Sequence, residues 1–253
     1  MIKSIVMAAV LAAFSNLMAA DSASSGSVYE MRTYYAPEGK LENLHARFRD
    51  HTMKLFEKHG IKNVGYFVPE GENPDHKLVY FLEFPSRDAA KQSWKDFSAD
   101  ADWQKAWKES EKDGKLVSKV ESVYLQPTDY SPRLKIENKG PRVFELRTYT
   151  TPEGKLNDLN ARFRDHTMKL FKKHGMENLA YWTKTADQKD PSTTLIYLLG
   201  HKSREAAKKS FDSFREDADW VTAKTASEKN GSLTVPNGVK SEFLVPTDYS
   251  PMK

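Results

Sequence analysis

The segment ARFRDHTMKLF at residues 46–56 decides the architecture, because the same eleven letters recur at 161–171. The match extends towards the N-terminus, where VYEMRTYYAPEGKL (28–41) is answered by VFELRTYTTPEGKL (143–156). Where one copy is longer than the other, the extra residues fall in polar stretches with proline or glycine, where a loop tolerates them. The chain therefore contains one unit twice.

The ends of the two units are marked by a second repeated motif. PTDYSP closes the first copy at 127–132 and the second copy at 246–251. We predict a first domain at 28–132, a short charged linker at 133–141 and a second domain at 142–251.

Each copy reads as strand, helix, strand, strand, helix, strand. The opening VYEMRTYY alternates residue by residue, as a strand does, whereas apolar side chains then recur at helical spacing from Leu41 to Phe56. Gly60 is well placed to end that helix. This order is that of the ferredoxin-like βαββαβ unit, an antiparallel sheet with both helices on one face. We predict an α+β fold in which two tandem ferredoxin-like units pack as an intrachain dimeric α+β barrel.

The repeated motifs also carry a family resemblance. The opening strand with PEGKL, followed by RFRDHTMKLFEKHG and NVGYF, resembles the NIPSNAP family over nearly all of residues 28–251. The resemblance implies the dimeric α+β barrel fold, which is shared with antibiotic-biosynthesis-type monooxygenases, muconolactone-type isomerases and haem-dependent chlorite dismutases. It implies no agreed enzymatic activity. Eukaryotic members are mitochondrial, and the N-terminus of this chain departs from that pattern.

The first twenty residues have the layout of a secretory signal peptide. Lys3 gives a basic start, residues 5–17 are largely apolar, and small residues lead to cleavage after Ala20. The apolar run is short for a membrane span, which needs about twenty residues. We predict an exported protein, periplasmic or secreted, with no stable membrane span after cleavage; retention as an N-terminal anchor is the alternative.

Composition excludes several functional classes. The 39 basic and 35 acidic residues are interspersed, giving a net charge of +4 without the clustered basic surface typical of nucleic-acid binding. The chain has no cysteine, and it contains neither HExxH nor a histidine pair at i, i+4. We predict no nucleic-acid partner, no metal site and no cofactor. DADW at 100–103 and at 217–220 is read as a helix-start signal.

The repeated histidines are the candidate catalytic residues. At 100° per residue, His51 and His166 lie roughly 60° from the centre of the apolar stripe, half turned towards the sheet. Facing a pocket between sheet and helices, they would serve as a base or as an axial haem ligand. The alternative is a boundary histidine that bonds a neighbouring strand.

The first strand of each copy supplies the candidate ligand-binding residues. We predict that the apolar face, with Tyr29 and Met31 in the first copy, packs on the helices. The polar face then points between the two sheets, where buried Glu and Arg must pair. The alternatives are an ion-pair network or an arginine clamp for a carboxylate. The polar residues are Glu30, Arg32, Tyr34, Glu145, Arg147 and Tyr149.

Three other histidines have structural interpretations. His59 and His174 stand in the last turn of a helix, where they would bond exposed carbonyls. His201, which replaces Phe84 of the first copy, is interpreted as a surface residue.

Two functional hypotheses follow. The first is an exported, non-catalytic module that binds a small apolar or carboxylate ligand or a protein partner. The second is a cofactor-independent oxygenase or isomerase, or a haem enzyme, that uses His51 or His166. The sequence does not decide whether the protein is an enzyme. An open strand edge or helix face would also allow it to form a homo-oligomer.

Overall fold

The computed structural model describes residues 26–253, so the predicted signal peptide lies outside the described residues. The strands in this part of the chain are β1 (Val28–Tyr35), β2 (Lys62–Pro69), β3 (Lys77–Phe84), β4 (Lys119–Pro127), β5 (Val143–Thr150), β6 (Glu177–Lys184), β7 (Thr194–His201) and β8 (Val239–Pro246). The α-helices are α1 (Leu41–Arg47), α2 (Met53–Lys58), α3 (Arg87–Ala99), α4 (Ala101–Ser110), α5 (Leu156–Arg162), α6 (Met168–Lys173), α7 (Arg204–Glu216) and α8 (Ala218–Ser227).

The strands form one closed antiparallel barrel in the order β1-β3-β2-β8-β5-β7-β6-β4, with β4 pairing back onto β1. The first half (β1–β4) and the second half (β5–β8) meet at two short seams. Phe67–Pro69 of β2 pair with β8, and Leu125–Pro127 of β4 pair with β6. The predicted α+β barrel is confirmed, and its closure leaves no strand edge within the barrel open for pairing.

The core has three parts. Both halves contribute to the barrel interior, including Tyr29, Phe81, Phe144 and Trp182. Two further clusters lie between the sheet and the helices, one in each half. No helix among residues 26–253 is long and apolar enough to cross a membrane.

The predicted orientation of the first strand is wrong. Tyr29 and Leu146 fill the barrel interior, with Met31 packed against the same cluster, whereas the polar residues point outwards beneath the helices. An eight-stranded barrel has an interior just wide enough to be filled by side chains, so bulky apolar residues occupy it. The polar face finds its hydrogen-bond partners on the helix side instead.

The repeated segment is a helix interrupted by a π-helical turn. Phe48–Thr52 separates α1 from α2, and Phe163–Thr167 separates α5 from α6. Thr52 Oγ1 donates a hydrogen bond to the Arg47 carbonyl at 3.1 Å, and Thr167 does the same for Arg162. In a π-helical turn a carbonyl accepts the backbone N–H five residues on, as Phe48 does from Met53, so the threonine hydroxyl is a second donor within this turn.

Helix boundaries follow the sequence signals. Gly60, with φ +71°, follows the end of α2, and Gly175 is its counterpart. The DADW prediction is confirmed as a helix start, since the Asp100 carboxylate accepts hydrogen bonds from the backbone N–H groups of Asp102 and Trp103.

The repeated motifs bind each other across the two halves. Arg49 in the first half forms a bidentate ion pair with Asp248, both bonds 2.7 Å, and Arg164 pairs with Asp129 in the same geometry. Ser250 Oγ accepts the Tyr66 backbone N–H at 2.9 Å. We call these reciprocal contacts the cross-clamps. Each PTDYSP segment thus holds the other half of the molecule.

Candidate functional site

The strand residues predicted to bind a ligand do come together beneath the helices. Glu30 is fully buried and accepts hydrogen bonds from Arg32 Nη1 at 2.5 Å, Ser122 Oγ at 2.6 Å and Trp94 Nε1 at 2.6 Å. Arg32 Nη2 donates to the Tyr34 hydroxyl at 3.3 Å. In the first half both oxygens of the buried carboxylate are thus hydrogen-bonded, whereas the buried Nε of Arg32 has no hydrogen-bond partner among the described residues.

The second half repeats the network with one exchange. Glu145 pairs with Arg147 and accepts a hydrogen bond from Ser241 Oγ, just as Glu30 accepts one from Ser122 Oγ. His201 Nε2 lies 3.0 Å from Glu145 Oε2 and takes the place of the Trp94 indole. Arg147 Nε also donates to the Tyr197 hydroxyl at 2.8 Å.

The charge state of this network is set by its partners. Burial would raise the pKa of Glu145, but the hydrogen bond from His201, the charge of Arg147 and the Ser241 hydroxyl together hold that pKa below its ordinary value. Glu145 is therefore ionised at neutral pH, as the acceptor of several hydrogen bonds should be.

His201 is not a surface residue, which corrects the sequence interpretation. It is 4% exposed and sits where the first half has Phe84. Trp94 of the first half is replaced by Phe211, which cannot donate a hydrogen bond to the glutamate. The pair Phe84 and Trp94 has thus been exchanged for His201 and Phe211, and each pair supplies one ring N–H to a buried carboxylate.

A cavity of about 210 Å³ lies in the second half between the sheet and the helices. Its charged lining residues are Arg147, Arg162, Arg215 and Lys224. Its other lining residues are mainly aromatic: Tyr149, Phe163, Phe171, Phe211, Phe214 and Trp220, together with Thr167. A second cavity, of about 470 Å³, shares Arg147, Phe211 and Arg215 with it and reaches Glu145 and Ser241. Of the residues that line these two cavities, the sequence singled out Glu145, Arg147 and Tyr149 as ligand-binding candidates.

The corresponding place in the first half has different side chains. The larger Trp94 stands at the position of Phe211, with the Arg32 guanidinium carbon 4.4 Å from its ring centroid. Ser98 and Trp107 stand at the positions of Arg215 and Lys224. Nothing in the sequence placed Trp94 beside Arg32.

The predicted catalytic histidines do not face this cavity. His51 and His166 are both exposed, so the expectation that they turn towards the sheet is wrong. Because the π-helical turn holds more than 3.6 residues, three steps beyond Phe48 sweep less than 300°, which leaves His51 farther from the buried stripe. His166 lines a different, solvent-side cavity with Asp165.

His59 and His174 also differ from their predicted capping role. His59 Nε2 lies 2.7 Å from Asp100 Oδ2, and Lys58 Nζ lies 2.7 Å from the same oxygen. The bonds from Lys58 and His59 hold the pKa of Asp100 well below its usual range. His174 makes the same contact with Asp217. These histidines fasten the first helix of each half to the start of another helix.

Solved structures resemble this protein at low sequence identity, and two of them, with TM-scores above 0.5, share its fold. A candidate monooxygenase of Lactobacillus acidophilus is 10% identical, with 87% of this chain and 94% of that chain covered and a TM-score of 0.55. An anthrone oxidase-like protein is 9% identical, with 92% and 96% covered and a TM-score of 0.57. A NIPSNAP family protein of Agrobacterium tumefaciens is 23% identical over 42% of this chain and 97% of its own, with a TM-score of 0.38.

Sequence comparison identifies the family. No curated protein matches the chain significantly. The sequence model of the NIPSNAP family matches twice, at residues 29–132 and 144–251, and these matches cover both halves of the barrel. The chain belongs to the NIPSNAP family.

Proposed function

We propose that this protein binds a small organic ligand without transforming it, in the second-half cavity between β5 and helices α5–α8. The observation that carries the proposal is the cavity itself, where the half-buried, ion-paired Arg147 meets a lining of aromatic rings. A mostly apolar cavity with a few fixed polar groups is the usual form of a small-molecule site.

Binding is favoured over catalysis by the chemistry of the lining residues. A general base works best with a pKa near the operating pH, but Glu145, the carboxylate next to Arg147, has a lowered pKa and three hydrogen-bond donors. His51 and His166, on which the oxygenase, isomerase and haem alternatives rest, are exposed and line other cavities than this one, so the lining of the proposed site does not favour those alternatives. The similarity to oxygenase-like structures supports the fold alone.

The remaining parts of the proposal rest on the sequence. We infer that the protein is exported by the signal at residues 1–20, that it binds its ligand without a cofactor, and that a protein partner is the alternative to a small ligand. We also infer that each half is a ferredoxin-like unit. The strand order supports this, since it runs β2-β3-β1-β4 in the first half and β6-β7-β5-β8 in the second.

Native mass spectrometry of the freshly purified protein tests the proposal. We expect extra mass that leaves on denaturation, and its loss in the double variant Phe211→Trp/His201→Phe, which gives the second half the first half's own side chains. The matched control, Trp94→Phe/Phe84→His, changes the first half in the reverse direction and should retain the ligand.

Two results would contradict the proposal. One is a bare chain that also takes up no compound from a library of small aromatic ligands. The other is conversion of a bound compound into a product with an added oxygen atom or a moved double bond, which would make the protein an oxygenase or an isomerase.

A further inference from the structure

We infer that the second-half cavity selects a flat aromatic anion, such as an aryl carboxylate, and that Arg215 and Lys224 are the residues that determine this selection. The inference rests on the proposed function, since it names the ligand class of the same cavity. The two halves then differ in function, because the first half does not suit the same ligand.

The first step concerns the charge that lines the cavity. Its described lining residues include four cationic side chains and no carboxylate. Arg147 and Arg162 each have one carboxylate partner, Glu145 and Glu228, and neither of these lines the cavity. The guanidinium groups thus present donors to the cavity, while their counter-charges lie outside it.

Two of the four cations are not fully neutralised by such pairs. Arg215 is 63% exposed and shares Asp212, at 2.7 Å, with Lys208. Lys224 forms no ion pair with any acidic residue in the described part of the chain. The rim of the cavity therefore carries an excess of positive charge, and an anionic ligand group would balance it.

The first half supplies an internal comparison without that excess. There the half-buried Arg32 and the buried Arg47 pair with the equivalent carboxylates, Glu30 and Glu111. The two rim positions differ, since Ser98 and Trp107 replace Arg215 and Lys224. These two places, which border the cavity, gain a positive charge each in the second half; Asp212, the partner of Arg215, stands where the first half has Lys95, so Lys224 is the added charge without an acidic partner among the described residues.

The shape of the ligand follows from the rings. Phe214 lies 4.4 Å from Trp220 and 4.9 Å from Phe171, centroid to centroid, so the three rings form one continuous aromatic wall. The Arg147 guanidinium carbon lies 4.8 Å from the Phe211 ring. Aromatic walls pack well against flat ring systems, and a carboxylate at the edge of such a ring can reach the rim cations.

Three probes of one shape and different charge test the inference. Benzoate, benzamide and benzamidine are planar and nearly isosteric, and they are negative, neutral and positive at neutral pH. Isothermal titration calorimetry of the intact protein at millimolar probe concentrations should rank their affinities in that order. Added salt should weaken benzoate and leave benzamide nearly unchanged.

Single-residue variants then show which side chains cause the preference for the anionic probe. Lys224→Met and Arg215→Ser should each weaken benzoate by about fivefold, the effect of one partly exposed charge at contact distance. Neither variant should weaken benzamide. Lys91→Met removes one exposed charge from the first half, so it lowers net charge equally and should leave benzoate binding unchanged.

The outcomes separate the two proposals. If benzamide binds as tightly as benzoate, or if the rim variants do not alter benzoate affinity, the anion inference is overturned while the cavity stands as a ligand site. Binding of none of the three probes, together with a bare chain in native mass spectrometry, would refute both.

Discussion

At the residue scale, a contact beside the cross-clamps involves a titratable histidine in one half and a non-titratable asparagine at the equivalent position of the other. His45 Nδ1 of the first half lies 2.7 Å from the Tyr249 hydroxyl of the second, and at the equivalent contact the Tyr130 hydroxyl of the first half donates to Asn160 Oδ1 of the second at 2.8 Å. The asparagine thus makes the same contact as the histidine without being able to gain a proton. His45 is 7% exposed, and burial lowers its pKa from the ordinary 6.5.

Replacing His45 by Asn should reduce the pH dependence of stability. Because the folded-state pKa is lowered, the stability that neutral His45 contributes is present above about pH 6.5 and is lost as the pH falls. The free energy of unfolding of His45→Asn, measured by urea denaturation from neutral to mildly acidic pH, should therefore fall less than that of the natural protein. Asn160→His, as the converse control, should fall more. Equal slopes in all three proteins would contradict this account.

At the element scale, the π-helical turn explains why the repeated segment is kept whole. Phe48 and Phe56 lie in the core of the first half, and Arg49 makes a cross-clamp. The hydroxyl of Thr52 donates a hydrogen bond to the Arg47 carbonyl and so supports the π-helical turn. That turn directs the apolar side chains to the core and Arg49 to the other half of the molecule. The eleven letters thus encode one bent helix with two different contacts.

Thr52→Val should destabilise the protein by about 1 kcal/mol, since it removes one buried hydrogen bond to the Arg47 carbonyl while keeping the shape of the side chain. Urea unfolding measures this difference. Thr222→Val, at an exposed helix position, should change the free energy of unfolding by less than about 0.5 kcal/mol. A loss at Thr52 no larger than the loss at Thr222 would show that the hydroxyl does not support the turn.

The sequence predicted the order of elements, the helix starts and the barrel, because these depend on periodicity, capping residues and repetition. It did not predict which face of β1 points into the barrel. Alternation distinguishes two faces but does not orient them, and Tyr29 and Glu30 are both buried. Nor could it predict the cavity, which depends on the space left when Phe211 stands where the first half has Trp94.

At the scale of the whole molecule, neither half has a complete core. The barrel interior takes Phe67 and Phe81 from the first half and Phe144 and Trp182 from the second, and the Phe67 and Phe144 rings lie 4.8 Å apart. The seams and cross-clamps add hydrogen bonds between the halves. The free energy of folding is therefore shared across them.

Residues 26–132 and 142–253, produced as separate chains, should not remain folded monomers. Each would expose its side of the barrel interior, an apolar surface that water disfavours. We expect self-association or aggregation of each alone and a 1:1 complex when they are mixed, detected by light scattering with circular dichroism. A cooperatively folded monomer of either half would contradict the shared core.

The joining of both halves in one chain has a consequence for how the protein can change. In a symmetric homodimer, a mutation in the gene changes the equivalent residue in both subunits, so the new side chain must suit both sites. Here residues 133–141 link two halves in which the equivalent positions mutate independently. The first can retain Trp94 for rigidity while the second exchanges it for Phe211 and its cavity. Covalent fusion thus allows a division of labour that identical subunits cannot evolve.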